Sequence, residues 1–487
     1  MKRLTFLFCS LLLQTLSVQA QKIYDVRDFG AQGDGVTFDT KAVNDAIERC
    51  SADGGGIVLF PSGYTFLCGT IRLKGEIEYR IEAGALLLGA PNGIGAYDFP
   101  EENPWEQYQD FGHSYYHNSL MWGENLQNVS FTGGGEINGG GISRSKTVPG
   151  DGNKAIAIKT SANITFEDIS IVQGGWFAVI LNGCRQVVFN RVTIRTPRDG
   201  IDLMSCSDVR IADCTIRSVR LEGDKEVGGD DAIGIKSDYA LGRTIASENI
   251  RIERTMLSSG CNAIQFGSET VGDFRNIRVT DCIIDGAGKA GIGITSNDGA
   301  VIEDVVYRNI LMKRVATPLF IYVSDRMRRP EPHPIGKIRR ITIEHVAAFD
   351  CLSEIKNEAY TATISGCETS VIEDVHISNF SVIYKGGRPR RELILPENTP
   401  TQYAPRALGI RPASGFYIRH AKDIWLENVS IGFEQPDDRP AFVLNHVKGI
   451  RLSNPCVSSA ADCDVELMAV EAYSQTGPQT LTTRLHP

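Results

Sequence analysis

A four-residue phrase, polar then apolar then polar then apolar, returns along most of the chain and limits the folds open to it. It reads Asn128-Val129-Ser130-Phe131, Asn163-Ile164-Thr165-Phe166, Gln186-Val187-Val188-Phe189 and Asp208-Val209-Arg210-Ile211. It continues through Asn249-Ile250-Arg251-Ile252, Asn276-Ile277-Arg278-Val279, Asp304-Val305-Val306-Tyr307, Arg340-Ile341-Thr342-Ile343, Asp423-Ile424-Trp425-Leu426 and Gly449-Ile450-Arg451-Leu452. The shortest intervals are 22 and 23 residues. Each unit reads as short strands of period two, cut by Gly, Asn and Asp turns. No such unit can bury its apolar face alone, whereas stacked units can, which is the logic of a solenoid. The leucine consensus of a leucine-rich repeat and the longer, more regular blades of a propeller are both missing. The expected fold is all-β, a right-handed parallel β-helix. Ala42, Val43, Ala46 and Ile47 have helical spacing within 40–50, so a helix there should cap the first open coil.

The organisation expected is a secretory signal over residues 1–20 and one β-helix catalytic domain over 21–487. Lys2 and Arg3 precede an apolar run, and Val18-Gln19-Ala20 ends on small residues. Export to the periplasm or the medium follows, with no membrane span. The formal charge of −9 becomes two units more negative without Lys2 and Arg3, which argues against a nucleic-acid partner. Of twelve cysteines, Cys9 falls in the signal, leaving an odd number. Pairs such as Cys206 and Cys214, Cys351 and Cys367, or Cys456 and Cys463 are candidates for bridges; free buried thiols are the equal alternative. No spacing suggests zinc, and no metal or cofactor is expected. Interruptions at 97–122, 324–336 and 385–412 read as loops that build a groove on one side.

Aligning four successive units exposes a second phrase that ends in serine. Ile201, Ile233, Ile264 and Ile292 make one inward column, and Leu203, Ile235, Phe266 and Ile294 another, because residues two apart share a strand face. The columns before them are polar: Asp199, Asp231, Asn262, Ala290, and beside it Arg198, Asp230, Cys261, Lys289. Stacked strands lie about 4.8 Å apart, so three carboxylates meet within a rung of one another. At least one should then hold its proton above the ordinary range unless a cation neutralises the group. Asp202 leads into the strand and reads as structural.

These residues, with Tyr24-Asp25-Val26-Arg27-Asp28-Phe29-Gly30-Ala31 and Gly174-Gly175-Trp176, give the chain a resemblance to glycoside hydrolase family 28, which contains polygalacturonases and rhamnogalacturonan hydrolases. It runs from about Tyr24 to Thr295. The family's Asn-Thr-Asp becomes Pro197-Arg198-Asp199, and its Asp-Asp is intact as Asp230-Asp231. The resemblance implies Asp230 as general acid, with Asp199 and Asp231 activating water, and inversion at the anomeric carbon. An inverting pair should stand roughly 6.5–9.5 Å apart. The family's Gly-His-Gly becomes Cys261-Asn262-Ala263 and its Arg-Ile-Lys becomes Gly293-Ile294-Thr295. That loss of a charged grip on a sugar carboxylate points away from unsubstituted polygalacturonate. Arg198, Lys236, Asn262, Gln265 and Lys289 are the expected substrate ligands. Arg326, Arg328 and Arg329 read more readily as a solvated surface run. Trp105, Tyr108, Tyr115, Tyr116 and Trp122 are candidates for stacking on sugar rings.

The expected function is an exported, monomeric, inverting glycoside hydrolase acting on plant cell-wall poly- or oligosaccharides, with the insertions hinting at exo action. Two rivals stand beside it: a calcium-dependent polysaccharide lyase on the same solenoid, and a carbohydrate-binding β-helix without chemistry.

Overall fold

The computed structural model describes residues 21–143, 148–401 and 403–486; the expected signal over 1–20 lies outside the described residues. The polar residue that opens each repeated phrase is a corner. Asn128, Asn163, Asp208, Asn249, Asn276, Asp304 and Asp423 all take left-handed backbone, with φ between 53° and 59°. Asn and Asp tolerate that region better than bulky residues do. Several corners also bond along the stack: Asn163 Nδ2 donates to Asn128 Oδ1 at 2.6 Å, and Asn276 Nδ2 to Asn249 Oδ1 at 2.8 Å.

From each corner the chain enters a parallel ladder, and three such ladders form the three faces of the coil. One joins Gln127–Thr132, Ala162–Glu167, Arg185–Asn190 and Ser207–Ala212. A second joins Ser170–Val172, Thr193–Thr196 and Thr215–Glu222. The third joins Lys154–Lys159, Phe177–Asn182, Asp199–Met204, Ile233–Ser237 and Ile264–Thr270. Strand pairing continues from Ile23 at one end to His486 at the other.

The inward columns fill the interior. Ile201 pairs in register with Ile233, Ile264 and Ile292, and Leu203 with Ile235, Phe266 and Ile294. All eight are fully buried. Phe131, Phe166 and Phe189 stack face to face at 4.7 and 4.5 Å. The helix Thr40–Ala52 buries Ala42, Val43, Ala46, Ile47 and Cys50 against the first coil, as the spacing predicted. The eleven cysteines from Cys50 onward are all free, nine of them buried, so none of the candidate pairs is bridged. The thiols of those nine serve as small core groups. No helix among the described residues is long and apolar enough to cross a membrane.

The first interruption ends earlier than the sequence suggested, the second keeps its bounds, and the third starts and ends slightly later. Strand resumes at Ser119, and the strand Ile372–Gly386 runs into the third interruption. The projecting segments are therefore 97–118, 324–336 and 387–415. Cutting the aromatic column tests how much it holds: Phe166→Ala should cost about 3–5 kcal/mol in urea unfolding, the range for emptying a buried aromatic site.

Candidate active site

The third ladder carries the polar columns on its outer side, where the three insertions converge over it. A cavity of about 270 Å³ is lined there by Arg198, Asp199, Asp230, Asp231, Lys236, Asn262, Gln265 and Lys289, all expected from the sequence. Asp110, His113, Trp176, Phe177, Ser268, Glu269 and Tyr403 complete the wall. A larger trough of about 450 Å³, between Arg278 and Trp425, lies on the first ladder and contains none of these groups.

Each carboxylate has a different neighbourhood. Asp230 ion-pairs with Arg198 through Nη2, and the same nitrogen lies 3.8 Å from Asp199 Oδ2. Asp199 is buried, with Lys236 Nζ 4.0 Å from its other oxygen. Asp231, also buried, accepts from the Asn262 backbone N–H at 2.9 Å and from its Nδ2 at 2.8 Å. Asn262 in turn accepts from the Ala290 N–H at 3.2 Å, so its amide has become a scaffold for Asp231. Oxygens of Asp230 and Asp231 and the Cys261 sulfur lie within 4.8 Å of one another. The closest approach of Asp230 and Asp231 is thus shorter than the wider spacing expected of an inverting pair, because the two acids are adjacent in the chain.

Burial and mutual repulsion spread the proton affinities of the three acids. Burial, then the nearby Asp230 and Asp202 charges, pushes Asp199 well above the ordinary carboxylate range. Asp231 is raised by burial and by Asp230. Burial acts the same way on Asp230, but Arg198, Lys289 and Lys236 outweigh it and hold that group below its ordinary value. Asp199 and Asp231 therefore hold a proton more tightly than Asp230, whose charge is matched by Arg198. Both halves of the sequence expectation, a raised acid and a neutralising cation, are met on different residues.

Asp202 is the structural partner it was expected to be, fully buried and 2.7 Å from Lys236 Nζ. Lys236 is thereby committed to the protein and holds Asp202 and Asp199 in place. Gln265 Nε2 donates to the Phe266 carbonyl at 2.6 Å and to Thr295 Oγ1 at 3.0 Å, so its amide nitrogen is occupied as well. Lys289 is different: it faces the cavity and makes no ion pair within bonding range among the described residues. Burial works against its charge, yet Cys261, Asp231 and Asp230 keep it above its usual value.

The loop arginines correct the surface reading. Arg326 grips Asp298 through two nitrogens at 2.9 and 2.6 Å, and Arg328 pairs with the buried Glu269. Arg328 also reaches Asp110 at 3.2 Å, tying the segment 324–336 to the segment 97–118. His113, from that same segment, is buried between Asp202 at 3.7 Å and Glu269 at 3.5 Å. Burial first of all lowers it to about 4, so it stands neutral. Its position was illegible in the sequence, since no periodicity tells where an insertion turns inward.

The aromatic candidates of the insertion pack against protein instead of lining the cavity. Trp105 and Tyr108 meet Tyr239 edge-on at 5.2 and 5.7 Å, Tyr115 packs on Phe111 at 4.4 Å, Tyr116 is buried, and Trp122 stacks on His117 at 3.8 Å. Trp176, Phe177 and Tyr403 are the aromatic walls.

Comparison with known proteins places these features in context. The family model described as glycosyl hydrolases family 28 matches residues 106–399, and that described as rhamnogalacturonase A/epimerase, pectate lyase-like, matches residues 23–96. A probable polygalacturonase of Vitis vinifera is 26% identical over 381 residues, covering 73% of this chain and 73% of that protein. The endo-polygalacturonase of Pectobacterium carotovorum subsp. carotovorum is 25% identical, over 58% of this chain and 71% of its own. Among solved structures, the family 28 exopolygalacturonase of Yersinia enterocolitica superposes with a TM-score of 0.65 at 18% identity, over 89% of this chain and 78% of that one.

The proton affinities generate a stability test. An acid raised in the folded state keeps its proton where the unfolded chain has lost it, so it contributes less stability as pH climbs from the ordinary carboxylate range. Thermal melting against pH should therefore show a decline for the parent above about pH 4. Asp199→Asn should make that decline shallower and leave the protein at least as stable at neutral pH.

Proposed function

Since the chain belongs to glycosyl hydrolases family 28, we propose that it is an exported inverting hydrolase of pectic poly- or oligosaccharides, working as a monomer from the end of the substrate chain. The observation that carries this reading is the set of Asp199, Asp230 and Asp231, two buried and one matched to Arg198, at the floor of a sugar-sized cavity. Such a set supplies what glycoside hydrolysis needs: a proton for the departing oxygen and a carboxylate to deprotonate water.

In the free site the proton and the expected acid are on different residues, and substrate can exchange them. When an acidic group of the sugar engages Arg198 and Lys289, Asp230 loses most of the positive field that kept it ionised. It then takes the proton from Asp199 or Asp231, leaving that neighbour as base. Water attacks the anomeric carbon as the base accepts its proton; the glycosidic bond breaks, and Asp230 protonates the leaving oxygen. Asn262 keeps Asp231 in position through two hydrogen bonds, and Lys236 does the same for Asp202 and Asp199.

Loss of the Arg-Ile-Lys motif pointed away from unsubstituted polygalacturonate, but that argument weakens once the cavity's own cations are counted. Arg198 and Lys289 face the substrate space from the acid side, and related proteins are named polygalacturonases. Polygalacturonate therefore belongs among the substrates to be tried, with Lys289 as the first candidate to hold a sugar carboxylate. Exo action is supported by the Arg328–Asp110 bridge, which joins two insertions beside the cavity, and by Tyr403, which enters from the third. The calcium-lyase reading is disfavoured by the donor set. Calcium prefers oxygen ligands, whereas the acids here share their space with Arg198, Lys289 and a thiol.

Proton NMR of the first products from oligogalacturonates and other pectic oligosaccharides tests the reading. The expected result is a saturated product of inverted anomeric configuration, short from the earliest time points and unaffected by chelator. An unsaturated, chelator-sensitive product would establish the lyase instead, and early long fragments would sink exo action.

A further inference from the structure

A second cavity, of about 340 Å³, opens between the two ends of the loop that brings Tyr403 to the active site. That loop, 387–415, leaves the strand Ile372–Gly386 next to Arg388 and joins the strand Phe416–Gln435 shortly after Arg411. Lys385, Arg388, Arg411 and Arg439 all line the cavity, and none of its lining residues is acidic. Two of these charges are answered elsewhere. Lys385 pairs with Asp350 at 2.6 Å, and Arg439 with Asp437 at 2.8 Å.

The other two are not answered. Arg388 donates to the Ala359 carbonyl at 3.3 Å, and Arg411 to Thr363 Oγ1 at 3.0 Å and the Gly409 carbonyl; neither makes an ion pair among the described residues. Arg411 has no exposed surface, and its Nη2 has no hydrogen-bond partner. The rings of Tyr360 and Phe320, 4.9 and 5.9 Å from the guanidinium carbon, answer part of the charge. Cation–π contact offsets only a small part of what it costs to take an ion out of water. Burial lowers Arg411 to about 10. Arg388 is lowered too, by burial and then by the like charge of Arg439. Asp437, the nearest acid, spends both oxygens on Arg439, so a buried guanidinium with a free donor, beside a second without an ion-pair partner, has room for a further anion.

We propose that this cavity is an oxyanion-binding site, in which a carboxylate, sulfate or phosphate group accepts hydrogen bonds from Arg388 and Arg411. The site is separate from the active site. Thr363, which anchors Arg411, stands on the same outer face as Gln265 but three rungs further along, or roughly 14 Å at the usual strand spacing. Leu408, with Tyr403 and Leu395, packs over Phe320 and Tyr322 in the space between. An anion held here joins the two feet of the loop whose middle forms a wall of the active site. The same chemistry has two sources, an acidic sugar of the polysaccharide or a free inorganic ion.

Calorimetric titration of the full chain with sodium sulfate, against sodium chloride at matched ionic strength, tests the site. The expected result is saturable one-site binding that Arg388→Ala weakens at least tenfold and Lys289→Met leaves alone. Arg388 is half-buried at the loop's edge, and an unchanged circular dichroism spectrum checks that the variant folds. A uronate trisaccharide that displaces sulfate from the parent identifies the sugar as ligand, and failure to displace it identifies the inorganic ion. Absence of saturation above the chloride control overturns the proposal. So does binding lost in Lys289→Met and kept in Arg388→Ala, because the anion would then occupy the active site.

Discussion

Parallel stacking at one strand spacing governs both the core and the chemistry of this molecule. It sets Ile201, Ile233, Ile264 and Ile292 in one column and leaves the polar residues just before them no choice but to stand in another. A spacing of about 4.8 Å suits isoleucines, which gain from contact, and penalises carboxylates, which repel. The acids at 199, 230 and 231 persist because the same stacking delivers Arg198, Lys236 and Lys289 beside them. Removing one cation from such a buried set leaves an uncompensated charge, which is costlier than the set itself.

The way the cations are shared decides what each acid can do. Lys236 is committed to Asp202, and Arg198 divides its guanidinium between Asp230 and Asp199. Lys289 alone faces the cavity without an ion-pair partner among the described residues. In the mechanism proposed above, a ligand that competes for the arginine is what lets this group take up a proton. Where substrate makes that exchange, the family's acid and base roles and the proton affinities of the free protein no longer conflict.

The solenoid was readable because its signal is periodic. Phrases such as Asn163-Ile164-Thr165-Phe166 specify corner, inward residue, outward residue and inward residue in turn, and the corners indeed take left-handed backbone. The acid columns were readable by the same alignment. What lies on the insertions was not, because no repeat fixes the path of a loop. Arg328 looked like a surface charge, yet it pairs with Glu269 and Asp110; His113 gave no signal at all; and the Trp105 to Trp122 aromatics turned out to pack on Tyr239 or on their own segment. The cysteines were ambiguous for a different reason, since a buried thiol and half of a bridge have the same sequence pattern.

The central claim is that the three aspartates perform chemistry and do not merely terminate turns or hold a sugar. Asp230→Asn tests it most directly, because it keeps the side-chain shape while removing the proton that the leaving oxygen needs. Oligosaccharide binding and turnover should be measured together in parent and variant. The account predicts retained binding with turnover reduced at least about a hundredfold. Turnover at the parent's rate in the variant, or binding without turnover in both, would contradict it.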